Sequence, residues 1–590
     1  MNIMKNSGVT IKHSFLASMC ALVVLMAGCS ERHAETSKDS KAPIADRVLM
    51  NANVLSLDAN NTQAQALAIS NGKILFIGSN DDVRNFIGAN SEVEDLDGRT
   101  VLPGFIDAHG HFLQTGMMAL AANLLPPPDN DVSSVEQIID KLKAKADSDM
   151  TKELGWIIGM GYDDAQLEEG RHPTRTDLDK VSTDVPVLAV HQSSHLGAVN
   201  SKALEVLGIS NDVTDPEGGK FRRNANGELS GVVEELAFFG IANQAFAKVN
   251  SELVQQAIAA SQKAYFAAGF TTAQEGRAQL SDVQAVMGAA KAGALDIDVG
   301  VFPDPTLIND DSVFIDDIMA LHSPNYANHA RIAGIKLSLD GSPQVKTAWL
   351  SKPYHKPLEG QSEDYAGYPQ LDTEVINKYI QLSYENDWQV LAHVNGDAAI
   401  DQFLDAIEQA HEMFPDSSMK PVAIHAQTAR EDQLDRMARV NMIPSFMSVH
   451  AFYWGDWHRD SVLGENRAAH ISPAKSALTK GLTITSHNDA PVTLPNSQMI
   501  LYSMVNRLTR SEQVLGADER VDIEQAIRAI TSSAAYQLSE DATKGSIEAG
   551  KYADLVIVDK NPLEMPSTEL LDHKVLSTIK EGKTVYSAPN

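Results

Sequence analysis

The middle of the chain alternates short apolar runs with longer segments of helical periodicity. Segments with apolar residues at helical spacing include residues 372–386, 399–414 and 431–440. Eight apolar runs of strand character begin near Leu102, Thr271, Ile297, Ile332, Gln389, Val422, Met442 and Leu482. Strands that alternate with helices favour a parallel α/β sheet, and eight of them predict a (β/α)8 TIM barrel within residues 101–540.

The stretch between the first two apolar runs is too long for an ordinary connection. Connections inside compact domains are usually short, yet residues 120–255 separate the run at Leu102 from the run at Thr271. This stretch contains strand-like runs of its own, such as Trp156-Ile-Ile-Gly-Met-Gly161. We therefore expect residues 120–255 to form a subdomain inserted after the first barrel strand.

Two segments, one before and one after the predicted barrel, show a different pattern, in which strand-like runs alternate with turns. Residues 46–100 contain several such runs, and the Asn71-Gly72 pair between two of them is typical of a hairpin. Residues 541–590 show the same pattern, with Ala553-Asp-Leu-Val-Ile-Val558 as the clearest strand. Both segments are therefore predicted to be β-structure outside the barrel.

The first 28 residues have the layout of a secretory signal. Lys5 and Lys12 form a basic start, and the apolar stretch 15–26 is too short to span a bilayer comfortably. The stretch ends in Leu25-Met-Ala-Gly-Cys29, which resembles a bacterial lipoprotein box with Cys29 as the acylated residue. The alternative is an ordinary secretory signal that is cut nearby and releases a soluble protein.

A lipid anchor at Cys29 would be followed by a tether. Residues 29–45 are mostly polar and are expected to form that tether. The predicted location is the bacterial cell envelope, with the protein facing the periplasm or the exterior. The lipid would be the only contact with the membrane.

The net charge and the cysteine content argue against a nucleic-acid partner and against a disulfide. The formal net charge of −30 predicts a surface that repels nucleic acid, so no nucleic-acid partner is expected. The chain has 2 cysteines, and Cys20 would leave with the signal. Cys29 would then be alone, which excludes an intramolecular disulfide.

Six residues at or just past the ends of apolar runs have the chemistry of a buried divalent-metal site. Residues two apart on a strand point to the same side, so His109 and His111 can face one ion. His393 and His425 end two consecutive runs, and neutral imidazole suits zinc. The six residues are His109, His111, Lys336, His393, His425 and Asp489.

The order of these residues resembles the amidohydrolase superfamily, and the surrounding segments resemble its family 3, the YtcJ-like proteins. Matching segments are Gly159-Met-Gly-Tyr-Asp163, Ile335-Lys-Leu-Ser-Leu-Asp-Gly341, His393-Val-Asn-Gly-Asp397, Ile424-His-Ala-Gln427, Trp454-Gly-Asp456 and Asn488-Asp-Ala-Pro-Val492. The family often has Gly-Asp-Arg-Ala after the strand-5 histidine. This chain has Gly-Asp-Ala-Ala, so substrate contacts from that loop are not carried over.

The resemblance implies a metal centre on the barrel and a composite β-sandwich built from both chain ends. His109, His111, His393, His425 and Asp489 would be ligands, and Lys336 a further ligand that is carboxylated in many members. One or two divalent ions are implied, with zinc the expected metal. Asp489 is also the predicted general base, since a carboxylate there can take a proton from metal-activated water.

Further residues are predicted to contact the substrate. They are His195, His450, Trp454, His487 and Tyr162, and for the aromatic ones simple packing is the alternative. The leading function is metal-dependent hydrolysis of a non-peptide C–N bond in a small molecule, such as an amide, N-acyl, formamide or cyclic amide group. The alternatives are hydrolysis of esters, lactones or phosphoesters at the same site, and a non-catalytic solute-binding surface lipoprotein. The oligomeric state stays open, a homodimer being one alternative.

Overall fold

Two parallel sheets build the centre of the molecule in the computed structural model, which describes residues 43–589 except 195, 217–218, 309 and 358–360. The first has four strands in the spatial order Phe105–Ile106, Phe270–Ala278, Asp298–Pro303 and Ala330–Ile332. The second has five strands in the order Gly334–Ser338, Gln389–Val394, Val422–His425, Ile443–Phe446 and Thr485–Ser486. Only Ala333 separates the last strand of the first sheet from the first strand of the second. The fold is therefore of the α/β class, with its parallel strands arranged in chain order.

Amphipathic helices follow these strands. In helix Asp397–Met413, for example, Ile400, Phe403, Leu404 and Ile407 are buried, and their spacing puts them on one face. The helices of this part are Phe112–Leu120, Ser251–Ala267, Leu280–Lys291, Thr373–Asn386, Asp397–Met413, Glu431–Arg439, His450–Trp457, Glu465–Ala468, Ala474–Thr479, Ser497–Asn506, Ile523–Ala529 and Ser532–Gln537. Among the described residues, no helix combines the length and apolar character needed to cross a bilayer.

Both ends of the chain contribute to one six-stranded sheet. Its strands lie in the order Lys583–Ser587, Val575–Lys580, Leu555–Val558, Thr100–Pro103, Asn53–Leu55 and Gln63–Ala64. A four-stranded sheet has the order Lys73–Gly78, Ala66–Ser70, Arg47–Met50 and Glu92–Asp95. Buried side chains of the two sheets share one apolar core, which joins Leu67 and Ile74 to Val101 and Leu555.

The apolar run at Leu102, which we expected to be the first barrel strand, is divided between two sheets. Thr100–Pro103 pairs antiparallel with Leu555–Val558 in the six-stranded sheet, whereas Phe105–Ile106 pairs in parallel with Phe270–Ala278. The chain changes sheets at Gly104, where a Cβ atom would lie 2.5 Å from the Thr271 side chain. The first parallel strand therefore begins later than predicted.

Residues after the first parallel strand form a separate mixed sheet. Its six strands lie in the order Gly219–Arg223, Leu229–Glu235, Leu196–Val199, Val187–His191, Ile157–Tyr162 and Ala122–Asn123. Its helices are Val135–Ala144, Asp149–Leu154, Arg175–Leu178, Ser201–Val206 and Leu236–Ala245. This sheet occupies the stretch that the sequence predicts to be an insertion.

Buried ion pairs join the six-stranded sheet to the parallel strands. Asp298, at the start of its strand, accepts hydrogen bonds from Lys544 at 2.6 Å and from Lys580 at 2.7 Å. Burial alone would raise the pKa of Asp298, but these two ammonium groups hold it well below its usual value. The cluster lies at the amino ends of the parallel strands, the side that typically serves stability in barrel folds.

Candidate metal centre

The predicted ligands meet at the carboxyl ends of the parallel strands. His109 and His111 follow strand Phe105–Ile106, and His425 is the last residue of its own strand. Asp489 comes shortly after strand Thr485–Ser486. Because the carboxyl ends of parallel strands lie at one edge, residues far apart in sequence are brought together there.

Asp489 is the centre of this group. Its Oδ1 atom lies 3.4 Å from Nε2 of His109 and 3.4 Å from Nε2 of His111. Its Oδ2 atom lies 3.9 Å from Nε2 of His425. His393 adjoins the group through its ring, whose centroid is 4.6 Å from that of His425. The structure thus gathers four imidazoles around one carboxylate.

The donor set fits a divalent ion. Oδ1 of Asp489, which faces the Nε2 atoms of His109 and His111, is buried without a hydrogen-bond partner among the described residues. Two ligand atoms that each bind one zinc at about 2.0–2.2 Å are roughly 3.3 Å apart in tetrahedral geometry. The separations of 3.4 Å around Asp489 Oδ1 match this value. His109, His111 and Asp489 are therefore the best-formed part of the site.

Two residues of the cluster have a left-handed backbone conformation. His425 has φ 71° and Asp489 has φ 55°. Few residues other than glycine adopt positive φ, although histidine and aspartate do so more often than most. Such conformations cluster at functional sites.

Hydrogen bonds behind the ligands set their orientation. His111 Nδ1–H donates to the carbonyl of Gly276 at 2.7 Å, which leaves Nε2 with a free lone pair towards Asp489. His393 Nδ1–H donates to Oδ1 of buried Asp340 at 3.2 Å. Asp340 also accepts from the backbone N–H groups of Asn395 and Gly396. Asp340 was not predicted as a site residue, although it lies four residues after Lys336.

We expect Asp340→Asn to weaken the metal centre without unfolding the protein. The amide cannot serve both as acceptor for His393 Nδ1–H and as acceptor for both backbone groups. Loss of such a supporting carboxylate typically costs 10–100-fold in metal affinity or activity. Competition with a chelating dye measures the affinity, and Asp372→Asn at an exposed position is the matched control. Equal affinity in both variants would contradict the supporting role of Asp340.

Lys336 lies beneath the histidines. It is only 1% exposed, and its Nζ lies 3.0 Å from Nε2 of His109. Burial lowers the pKa of the Lys336 amine to about 7, so a large fraction is uncharged at neutral pH. An uncharged amine can accept a hydrogen bond, bind a metal or react with CO₂.

A cavity of about 1770 Å³ opens above these residues. His450 and Trp454 line it, with ring centroids 5.6 Å apart, and their contact with a substrate stays a prediction. His487 does not line it: its ring is fully buried behind His109 and His425, 5.3 Å and 5.2 Å from their centroids. Tyr162 is also fully buried, with its hydroxyl 3.2 Å from Nδ1 of His172.

The predicted substrate contacts of His487 and Tyr162 are therefore corrected to supporting positions. The ring of His487 packs against ligand rings, and its Nε2 lies 3.3 Å from the carbonyl of Ser445. Tyr162 stands behind the histidines of the inserted subdomain. His195, the remaining predicted contact, lies outside the described residues, as does Cys29.

A second cluster of acids and histidines lies on the insertion side of the cavity. His191 Nε2 is 3.1 Å from Asp164 and 3.8 Å from Asp163. Burial opposes charge on His191, yet the bonds to both aspartates raise its pKa to about 9. The charged ring donates Nε2–H to Asp164 and Nδ1–H to the hydroxyl of Ser193 at 2.9 Å. The cluster is a hydrogen-bonded ion pair, and no spacing motif in the sequence predicts it.

Histidines, a lysine and a carboxylate at the carboxyl edge of parallel strands define the class of metal-dependent hydrolases that act on small molecules. A match to the amidohydrolase family spans residues 92–586. The chain belongs to that family, in the branch called amidohydrolase family 3.

Known proteins resemble the chain over nearly its full length. It is 26% identical over 558 residues to the N-substituted formamide deformylase of Arthrobacter pascens, covering 92% of this chain and 98% of that protein. The crystal structure of an uncharacterized metal-dependent hydrolase from Pyrococcus horikoshii OT3 matches with TM-score 0.72 and 23% identity, covering 88% and 99% of the two chains. A similar hydrolase from Pyrococcus furiosus matches with TM-score 0.69 and 24% identity, covering 88% and 100%. These structures share the fold.

Proposed function

We propose that this hydrolase cleaves a non-peptide C–N bond in a small molecule, in an amide, N-acyl, formamide or cyclic amide group. The observation that carries the proposal is the arrangement of His109, His111 and His425 around the Asp489 carboxylate at the floor of a large cavity. Similarity to a formamide deformylase supports a C–N bond over an ester or phosphoester.

Different site residues would bind the metal, transfer the proton and orient the substrate. His109, His111, His393, His425 and Asp489 would hold one or two divalent ions, with zinc expected from the imidazole-rich donor set. A bound divalent ion lowers the pKa of water and polarises a carbonyl oxygen. Asp489 would accept the proton of the attacking water on a carboxylate oxygen and pass it to the leaving nitrogen. His450 and Trp454 would orient the substrate from the cavity wall.

We expect chelation to abolish amide hydrolysis and zinc to restore it. The purified protein is assayed on matched N-acyl, formamide, cyclic amide and ester substrates before treatment, after dialysis against a chelator, and after metal addition. Metal content is measured in parallel. If the metal-loaded protein hydrolyses the ester but none of the amides, the protein is an esterase and the proposal of C–N cleavage is wrong.

Lys336 would be carboxylated in the active protein. The buried, largely uncharged amine and its position 3.0 Å from His109 support this reaction, because only the uncharged amine attacks CO₂. A carbamate offers two oxygens where the amine offers one nitrogen. A carboxylated Lys336 would therefore allow a second ion.

The two parallel sheets would form one closed (β/α)8 barrel. Ala330–Ile332 and Gly334–Ser338 can be counted as one strand interrupted at Ala333, which gives eight strands in all. Side chains from both sheets share a buried cluster that includes Ile106, Phe302 and Ile424. An experimental structure with an open edge between Thr485–Ser486 and Phe105–Ile106 would contradict the closed barrel.

The protein would be anchored to the cell envelope through a lipid on Cys29. We expect globomycin to accumulate the precursor and Cys29→Ser to release the protein from membranes, because the Cys29 thiol is the group that carries the lipid in the proposed lipoprotein box. Membrane fractionation measures the release, and Cys20→Ser is the matched control. A Cys29→Ser protein that still sediments with membranes would rule out the anchor.

A further inference from the structure

One wall of the cavity carries apolar side chains from three helices. It starts on helix Phe112–Leu120, which begins directly after His111, and continues on helices Ser251–Ala267 and Leu236–Ala245. The first two of these helices pack against each other. The side chains of this wall are Leu113, Met117, Val254, Leu236 and Phe239. We call them the apolar wall.

Helix Leu236–Ala245 contributes to both the core and the cavity. Ala237, Phe238 and Ile241 are buried in the core of the inserted subdomain. Leu236 and Phe239 line the cavity, and Phe239 also packs against that core. Leu236 is 56% exposed, so its side chain presents apolar surface to the cavity.

The mouth of the cavity is also rich in apolar groups. Large exposed apolar side chains occur singly on most protein surfaces and need no explanation. Among the described residues, however, four of the twelve such side chains line this one cavity: Leu236, Leu307, Tyr368 and Trp457. Contiguous exposed apolar surface usually marks a binding site.

The cavity is larger than a short amide needs. Ordinary ligand pockets occupy about 300–1,000 Å³, whereas this one measures about 1770 Å³. Its lining includes the polar side chains Gln114, Glu235 and Asn243 as well as the apolar wall. The side chains of the apolar wall offer contact area that suits a hydrocarbon group.

We propose that the apolar wall binds an alkyl or arylalkyl chain of the substrate while the C–N group lies at the metal centre. The inference rests on the proposed function and names its substrate class: amides that carry a hydrocarbon chain of several carbons. The chain lies along Leu113 and Met117 and reaches Leu236 near the mouth. It is attached to either the acyl carbon or the nitrogen.

Binding of alkyl hydroxamates tests the chain site without turnover. A hydroxamate binds a metal ion through its head group, and its alkyl chain can be lengthened one methylene at a time. Burial of one methylene corresponds to roughly fourfold in affinity. We expect the calorimetric Kd of the zinc-loaded protein to fall on the order of 10²-fold from acetohydroxamate to octanohydroxamate, since not every methylene is fully buried.

Two leucines with the same exposure provide the variant and its control. Leu236 on the apolar wall and Leu321 outside the cavity are both 56% exposed, so neither substitution by serine removes core packing. Leu236→Ser should reduce the gain between the two hydroxamates by about fivefold, and Leu321→Ser should leave it unchanged. Thermal unfolding confirms that both variants fold.

The outcomes separate this inference from the proposed function. Tight binding of acetohydroxamate with no gain from chain length would overturn the chain site and leave the C–N hydrolase standing. An equal loss of gain in Leu236→Ser and Leu321→Ser would also overturn it. Failure of all hydroxamates to bind the zinc-loaded protein would overturn both the metal centre and the chain site.

Turnover of two substrate series identifies the side of the bond that carries the chain. One series is N-acyl benzylamines of rising acyl length, and the other is N-alkylformamides of rising alkyl length. A rise in kcat/KM with length in either series supports the inference and assigns the chain to that side. Turnover that is flat or falls with length in both series contradicts it.

Discussion

Asp489→Asn is expected to lower turnover by a factor on the order of 10²–10⁴, the usual contribution of general acid–base catalysis. The substitution keeps the shape of the side chain but removes the charge and the ability to carry a proton between water and the leaving nitrogen. Because Asp489 Oδ1 lies 3.4 Å from two imidazoles, some loss of bound metal should accompany the fall if Asp489 is also a ligand. Steady-state kinetics and metal analysis on the same preparation measure both effects.

The control separates catalysis from stability. Asp416→Asn makes the same chemical change at an exposed position and should leave turnover and metal content as in the wild type. Asp489→Asn should unfold cooperatively, since asparagine fits the space of aspartate. Turnover within tenfold of the wild type at full metal content would show that Asp489 is not the base.

The convergence of the four histidines and Asp489 could be predicted from sequence because residue type, spacing and strand ends act together. His425 is the final residue of a fully buried four-residue strand, so its short apolar run marked its position. The helices were predictable for a similar reason, since their apolar residues recur at helical spacing. Residues 431–440, for instance, correspond to the observed helix Glu431–Arg439.

The direction of side chains beyond the ligands could not be predicted in the same way. His487 lies two residues before Asp489, and a strand would place both on one side, but φ 55° at Asp489 turns the backbone between them. His487 is therefore buried behind the ligands while Asp489 faces the cavity. The supporting role of Asp340 depends on contacts with His393, Asn395 and Gly396 that only the folded chain brings together.

The solvent exposure of individual apolar side chains could not be predicted from the sequence either. Residues 236–241, Leu-Ala-Phe-Phe-Gly-Ile, suggest a buried segment, and Phe238 and Ile241 are buried. Leu236, in contrast, lines the cavity and is 56% exposed. Long-range packing of this kind carries no local signal in the sequence.

Lys336→Ala is expected to reduce the metal content from about two ions to about one per chain and to lower turnover sharply. The reason is that a carboxylated Lys336 supplies two oxygens at the bottom of the site, whereas alanine supplies none and leaves a space. Short carboxylates such as acetate or propionate fit that space and should restore part of the activity. Lys336→Met fills the space with an apolar chain of similar length, so it should lose the second ion without being rescued.

Metal analysis, kinetics with and without added carboxylate, and carbon NMR after incubation with ¹³C-labelled bicarbonate measure the three effects. Lys378→Ala, at an exposed position, is the control for loss of a lysine. A wild-type protein with one tightly held ion, no carbamate signal and no response to either Lys336 variant would leave a hydrolase with a single metal, held by the histidines and Asp489.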